Sequence, residues 1–130
     1  GFLSPKKLYQ ASSKAREQFS VKSTGVDQLM RALSGGNKQK VNLGRWLIKD
    51  LDVLIVDCPT RGVDIGVKAY IYQCLREAKE KGMAILLITD ELSEVLGMAD
   101  TIAVMKDGEI CKLLPRSAEL SEETIIEVMT

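Results

Sequence analysis

With 130 residues, of which 45% are hydrophobic, the chain is long enough for one domain with a core of ordinary size. The chain has 18 basic residues (lysine and arginine) and 18 acidic residues (aspartate and glutamate), so its formal net charge is zero. No basic field therefore exists to hold nucleic acid by its phosphates. Histidine is absent, the three cysteines match no zinc spacing, and no apolar run approaches the roughly 18 residues of a membrane-spanning helix. Free thiols in a reducing cytoplasm are therefore expected.

The first predicted element is an amphipathic helix that begins after Ser4, with proline in its first turn and apolar residues at helical spacing. A second, short helix is predicted over about 26–32. A glycine turn then leads from Ser34 into a third helix, over 37–49, which has one broad apolar side. We expect this side to place Trp46 in the core.

The central part of the chain is predicted to be a βαβ unit. Residues 53–56 and 84–88 are short, apolar on both faces and rich in β-branched or leucine side chains, as buried parallel strands are. Between them, a helix is predicted over 65–81, capped by Asp64 and stopped by Gly82. The order strand, helix, strand favours parallel pairing with a right-handed crossover.

A short helix over about 90–98 is predicted to follow the second strand. Two further strands, 102–105 and 109–113, flank Asp107 and Gly108, a pair that strongly indicates a two-residue hairpin turn. This hairpin is predicted to add an antiparallel edge to the parallel sheet.

The last predicted helix covers 122–129, with Ser121 as its cap and an acidic first turn that complements the helix dipole. No internal repeat is visible, and no heptad pattern lasts long enough for a coiled coil. The predicted fold class is α/β, with a parallel βαβ core, an antiparallel edge hairpin and flanking helices.

Two stretches of the sequence indicate chemistry. LSGGNKQK at residues 33–40 is a glycine turn that runs into a helix, and such a helix start, with Ser34 as a preferred cap, suits an anion such as phosphate. Asp57 ends the first parallel strand, where open α/β sheets bind ligands, and can hold Mg²⁺ through water. Taken singly, each stretch has an ordinary alternative, namely a capped helix and an aspartate that caps the next turn.

Together the two stretches resemble the ABC-type ATPases. Residues 33–40 are similar to the signature motif of that family, and NKQK resembles the version found in tandem sugar-importer ATPases. DCPTRGVD at residues 57–64 is similar to the family's Walker B aspartate and D-loop. EVLGMAD at residues 94–100 also looks like the ribose, xylose and galactose importers. The resemblance implies a partial P-loop NTPase fold of the ABC cassette type.

The same resemblance implies that the hydrolytic site of this chain is degenerate. Competent members have a glutamate after the Walker B aspartate; this chain has Cys58, and loss of a positioned base costs about 10²–10⁴-fold in rate. The switch histidine of the family aligns with Asp90, whose negative charge would repel a γ-phosphate. The phosphate-binding P-loop sequence is absent from the chain, so we expect no tight ATP binding by this chain alone.

The resemblance also implies a domain layout, in which the chain is a cut piece matching about the second half of a nucleotide-binding domain. Residues 1–48 would be the remainder of the helical subdomain with the signature motif. Residues 49–130 would carry Walker B, the D-loop, the switch region and the C-terminal hairpin of the ATPase core. Without the layer that carries the P-loop, part of the apolar core is expected to stay uncovered.

The implied function is that of an ABC importer subunit that couples ATP binding and hydrolysis, with Mg²⁺, to uptake of a sugar, this chain belonging to the second of two cassettes. Each signature in such an assembly closes over nucleotide held by the other cassette. The residues then assigned to nucleotide are Ser34, Gly35, Gly36, Gln39 and Asp64, and those lining the chain's own site are Asp57, Cys58 and Asp90.

The implied partners are the other cassette, membrane permease subunits and, indirectly, an extracytoplasmic solute-binding protein, with the subunit peripheral on the cytoplasmic face of the membrane and no nucleic acid bound. Nucleoside-importer ATPases share much of the pattern and are one alternative. Non-transport ABC ATPases of DNA repair or translation are another, although they carry long coiled coils or basic surfaces. In a third view, the chain acts only by shaping the site of its partner.

Overall fold

The computed structural model of the chain describes residues 5–18 and 35–130. The chain divides into two compact units, of which the first is Gly1–Leu54 with Pro59–Leu86 and the second is Ile55–Cys58 with Leu87–Thr130. The short helix predicted over 26–32 lies outside the described residues.

Every element predicted within the described residues is present, with bounds that differ from the predicted ones by a few residues at most. The elements are α1 (Pro5–Gln18), α2 (Gly35–Leu47), β1 (Val53–Asp57), α3 (Ile65–Glu80), β2 (Ala84–Ile88), α4 (Leu92–Met98), β3 (Thr101–Lys106), β4 (Glu109–Pro115) and α5 (Glu122–Met129). None of the helices that the structure describes is long and apolar enough to cross a membrane.

In the first unit, α3 begins and ends as its sequence predicts. The Asp64 side chain accepts a hydrogen bond of 2.9 Å from the Val67 backbone N–H, which satisfies one of the free amides of the first turn. Beyond the other end, Gly82 has a φ of 98°, a conformation that few other residues adopt. Among the described residues of this unit, the buried apolar side chains include Leu43, Leu54, Ile71, Leu75 and Ala78.

Trp46, on α2, is not in the core, so that prediction was wrong. Its side chain is 40% exposed, and two cations lie over its ring: the Lys49 ammonium at 4.5 Å and the Arg45 guanidinium at 5.2 Å from the centroid. A large aromatic ring at a solvent-facing position gains cation–π attraction from such neighbours, which partly replaces core packing.

β1 and β2 form a two-stranded parallel sheet, as predicted. In the first unit, Ala84 N–H donates to the Asp52 carbonyl at 2.9 Å, which joins the amino ends of the strands. In the second, Cys58 N–H donates to the Ile88 carbonyl at 2.8 Å, which joins their carboxyl ends. Pairing of like ends is what a parallel ladder requires.

β1 is buried on one face only, and β2 has one exposed face and one half-buried face, so the prediction that both faces are covered was wrong. In β1, Leu54 and Val56 are buried, but Val53 is 58% and Ile55 is 63% exposed. Alternate residues of a strand point to opposite faces, so this pattern marks one bare apolar face. The expectation that apolar core surface stays uncovered is confirmed.

The second unit contains the predicted hairpin. Asp107 and Gly108 have φ angles of 52° and 80°, and Lys106 pairs with Glu109, so the turn has the two positive φ values of a tight two-residue hairpin. One detail of the prediction was wrong, because β3 and β4 form their own two-stranded sheet rather than an edge of the parallel pair.

The core of the second unit lies between the hairpin and the helices on either side of it in sequence. Ile102 and Val104 of β3 and Ile125 of α5 are buried together, with Leu92, Val95, Leu96, Ala99, Leu114, Leu120 and Val128 packed around them. α5 begins at the predicted cap, where the Ser121 hydroxyl accepts a hydrogen bond of 3.3 Å from Thr124 N–H.

Arg116 anchors the end of α4. Its Nε donates to the Ala99 carbonyl and its Nη2 to the Leu96 carbonyl, both at 2.9 Å. Carbonyls of the last helical turn lack partners within the helix, and a cation there also complements the helix dipole. The guanidinium therefore holds the short helix against the strand that ends at Pro115.

All three cysteines are free thiols in the structure. Burial raises the pKa of the Cys74 thiol on α3, against the lowering effect of a hydrogen bond with Tyr70. This thiol is therefore protonated at neutral pH.

Candidate functional site

The first candidate segment is the start of α2. Gly35 is exposed, and a methyl group built on it would meet none of the residues that the structure describes within 4 Å. A methyl group on Gly36 would lie only 2.9 Å from Cγ2 of Val67, a residue of the first turn of α3. The glycine at 36 is thus needed for packing, whereas the glycine at 35 leaves the helix start open. Ser34, the predicted cap and anion contact, lies outside the described residues.

Two side chains in the first turns of α2 contact residues that come after β1 in the sequence, one just after the strand and one on α3. Gln39 Nε2 donates a hydrogen bond to the carbonyl oxygen of Pro59, and Lys40 Nζ lies 4.6 Å from the centroid of the Tyr70 ring on α3. The residues in each pair are far apart in sequence, and no local pattern could have indicated either contact. The predicted contact of Gln39 with nucleotide stays a prediction.

Asp64 is predicted both as a helix cap and as a D-loop contact, and in the structure it caps α3. It is exposed, and its carboxylate accepts the Val67 N–H of α3. The D-loop contact of Asp64 stays a prediction.

Asp57 is the last residue of β1 and is exposed, so its carboxylate stands at the carboxyl end of a parallel strand. This is the edge at which open parallel sheets bind ligands. Within the described ranges, no group of three or more histidine, cysteine, aspartate or glutamate residues could hold a metal ion. One carboxylate nevertheless suits Mg²⁺, which often takes one or two carboxylates and completes its shell with water and substrate phosphates.

Cys58 has a φ of 45°, which is uncommon for any residue other than glycine and costs conformational energy. Its N–H is the one that donates to Ile88 across the carboxyl ends of the two strands. Cysteine has no preference for this conformation, so nothing in the sequence predicts it. Residue 58 is therefore held in a strained turn at the edge where the two strands end.

Asp90 lies at this same edge. β2 ends at Ile88, and Glu91 N–H donates to the Thr89 hydroxyl at 3.1 Å, so a tight turn carries the exposed Asp90 before α4 begins. The structure thus brings Asp57, Cys58 and Asp90 to the carboxyl ends of neighbouring parallel strands. The two carboxylates offer oxygen ligands, the Cys58 thiol offers only sulfur, and the sequence has no histidine that could donate to a phosphate.

Comparison with curated proteins finds that the chain is similar to part of several sugar-import ATP-binding proteins. It is 39% identical over 130 residues to a putative ribose/galactose/methyl galactoside import ATP-binding protein of Geobacillus kaustophilus, a match that covers 100% of this chain and 26% of that protein. It is 46% identical over 114 residues to the ribose import ATP-binding protein RbsA of Lactococcus lactis, covering 88% of this chain and 23% of that protein. The chain spans about a quarter of the length of these relatives. No protein-family model matches it.

Solved structures show the same fold. A crystal structure of the ADP conformation of an ATP-binding cassette from an ABC transporter is 27% identical, with a TM-score of 0.76, and the match covers 98% of this chain and 51% of that one. A dimeric bacterial ABC transporter cassette, 22% identical, matches with a TM-score of 0.76 over 88% of this chain and 50% of that one. The predicted fold class, an α/β part of an ABC cassette, is confirmed.

Proposed function

Since the chain is a member of the ABC-type ATP-binding proteins, we propose that it supplies the signature helix, the Walker B aspartate and the D-loop turn of an ATP-binding subunit that drives sugar import. The observation that carries this proposal is the site geometry: an open helix start at Gly35 and a carboxylate, Asp57, at the end of a parallel strand. The relatives, named for import of ribose, galactose and arabinose, support a sugar as the transported solute.

We propose that the start of α2 acts on nucleotide held by a partner cassette. Backbone N–H groups of a helix start point outward and carry a partial positive charge, so they can donate to the γ-phosphate. Gly35 has no side chain to keep that phosphate away, and Ser34 would add a hydroxyl donor. That a similar cassette is solved as a dimer supports assembly in pairs.

Asp57 would hold Mg²⁺ at the chain's own site through water. Bound Mg²⁺ supplies positive charge that offsets the charge of the β- and γ-phosphates. Cys58 offers no acceptor comparable to a carboxylate for orienting the attacking water, and Asp90 brings a negative charge where a histidine would donate. We therefore propose that this site hydrolyses ATP slowly and that the signature of the chain serves a competent site on the other cassette.

In this proposal the chain works as part of a longer subunit, with residues 1–48 in the helical subdomain and 49–130 in the ATPase core of the second cassette. The P-loop would come from other parts of the subunit. The subunit would bind permease subunits, indirectly serve a solute-binding protein outside the cell, and lie at the cytoplasmic face of the membrane.

The test is the substitution Ser34→Arg in the full-length subunit. A long cation at the cap would block the approach of the helix start to nucleotide, and we expect ATP turnover to fall by about 100-fold or more, the size of effect seen when an oxyanion donor is lost. Ser117→Arg, at an exposed serine between β4 and α5, is the matched control and should change turnover less than about twofold. Equal turnover in the two variants would refute the action of this signature on nucleotide.

A further inference from the structure

We propose that Gln39 is a positioning residue, which ties the start of α2 to the turn after Asp57 so that the two segments engage the partner cassette as one piece. The engagement of a partner rests on the function proposed above. The tie itself rests only on contacts inside the first unit of the chain.

The tie consists of three contacts along one side of α2. Gln39 donates to the Pro59 carbonyl, Gly36 lies against Val67, and Lys40 lies over the Tyr70 ring. Pro59 precedes the D-loop turn, residues 60–64, and the other two contacts are with α3, which follows that turn. α2 is therefore bound to the chain on both sides of the turn.

The Pro59 contact is the one that acts on the turn itself. Pro59 is buried, and the next side chain, Thr60, is only 1% exposed. The first residue of the turn is therefore shielded from solvent. A buried carbonyl needs a hydrogen-bond donor, and the Gln39 amide supplies one from another element. Within the turn, Val63 N–H donates to the Thr60 carbonyl at 3.4 Å, a long hydrogen bond, so we expect the Gln39 contact to add to the order of residues 60–64.

Gln73, the glutamine of α3, does not make this connection. Gln73 has the same amide, but its Nε2 donates to Glu77 Oε1 at 3.1 Å, four residues further along on the exposed side of the same helix. Its hydrogen bond therefore supports one helix and links nothing else. Gln73 serves as a matched control for Gln39, because replacement by methionine removes the same donor and keeps nearly the same shape.

The experiment compares Gln39→Met and Gln73→Met in the full-length subunit by hydrogen exchange and by ATPase kinetics. For Gln39→Met we expect backbone amides 60–64 to exchange about 3- to 10-fold faster, as for the loss of one hydrogen bond. We expect kcat to fall by a similar factor with KM for ATP unchanged, since the change affects alignment and not the P-loop. Gln73→Met should change neither measurement.

Each outcome decides a different part of the inference. Unchanged exchange at 60–64 in Gln39→Met would overturn the tie, and faster exchange with unchanged kcat would overturn its role in positioning. A rise in KM, or an equal fall of kcat in Gln73→Met, would also contradict positioning. If the wild-type subunit shows no ATPase activity, the proposed function fails, while the exchange result still decides the tie. Gln39→Glu, which keeps the shape without the donor, replaces the methionine variant should that one not fold.

Discussion

Gly36→Ala is the sharpest test of how the two glycines of the signature differ. The new methyl group would lie 2.9 Å from Val67 Cγ2, well inside the 3.5–4.0 Å at which carbon atoms attract. Valine in a helix strongly prefers one χ1 rotamer, so Val67 cannot turn away cheaply and the helices must shift instead. Overpacking of this kind costs about 1–3 kcal/mol, against which alanine gains at most about 0.5–1 kcal/mol in helix propensity.

Gly35→Ala is the control, because it gives a similar propensity gain and its new methyl group has no neighbour within 4 Å in the described part of the chain. Urea unfolding of the 130-residue chain should therefore place Gly36→Ala about 1–3 kcal/mol below Gly35→Ala in free energy of unfolding. In a double-mutant cycle, Val67→Ala should recover most of this difference in the Gly36→Ala background. Equal stability of the two single variants, or no coupling to Val67, would show that α2 and α3 do not approach at this point.

Two further predictions concern Cys58. Because its φ is 45°, Cys58→Val should lower the free energy of unfolding by about 1–2 kcal/mol relative to Cys58→Gly in the same urea assay, and a valine variant as stable as the glycine one would contradict the strained turn. In the full-length subunit, Cys58→Glu should raise ATP hydrolysis less than about tenfold while Asp90 remains, since a second carboxylate repels phosphate there. A gain of about 10²–10⁴-fold, measured as phosphate release, would show that Asp90 does not occupy the switch position.

The boundaries of several elements could be predicted because they depend on local chemistry. Asp64 and Ser121 accept hydrogen bonds from the first turns of α3 and α5, as cap residues do wherever they occur. The hairpin turn needs two residues with positive φ, which Asp107 and Gly108 adopt readily. In each case the residues that decide the structure lie within a few positions of one another.

Burial could not be predicted as well, because it depends on what covers a face. Val53 and Ile55 are as apolar as the buried Leu54 of the same strand, yet they are more than half exposed. Trp46 has the side chain of a core residue but lies under two cations at the surface. The sequence shows which faces are apolar. Only the arrangement of the elements shows which of these faces are covered by another helix or strand.

The signature motif illustrates why residue roles also need the structure. The resemblance assigns Gly35 and Gly36 to nucleotide together, but Gly36 is already required by Val67 within the chain. Loss of ATPase activity in a Gly36 variant would therefore follow from a displaced helix whether or not a phosphate lies nearby. Gly35, where an added methyl group would contact none of the described residues, is the position at which a small side chain tests the approach of nucleotide without disturbing the packing of α2 on α3.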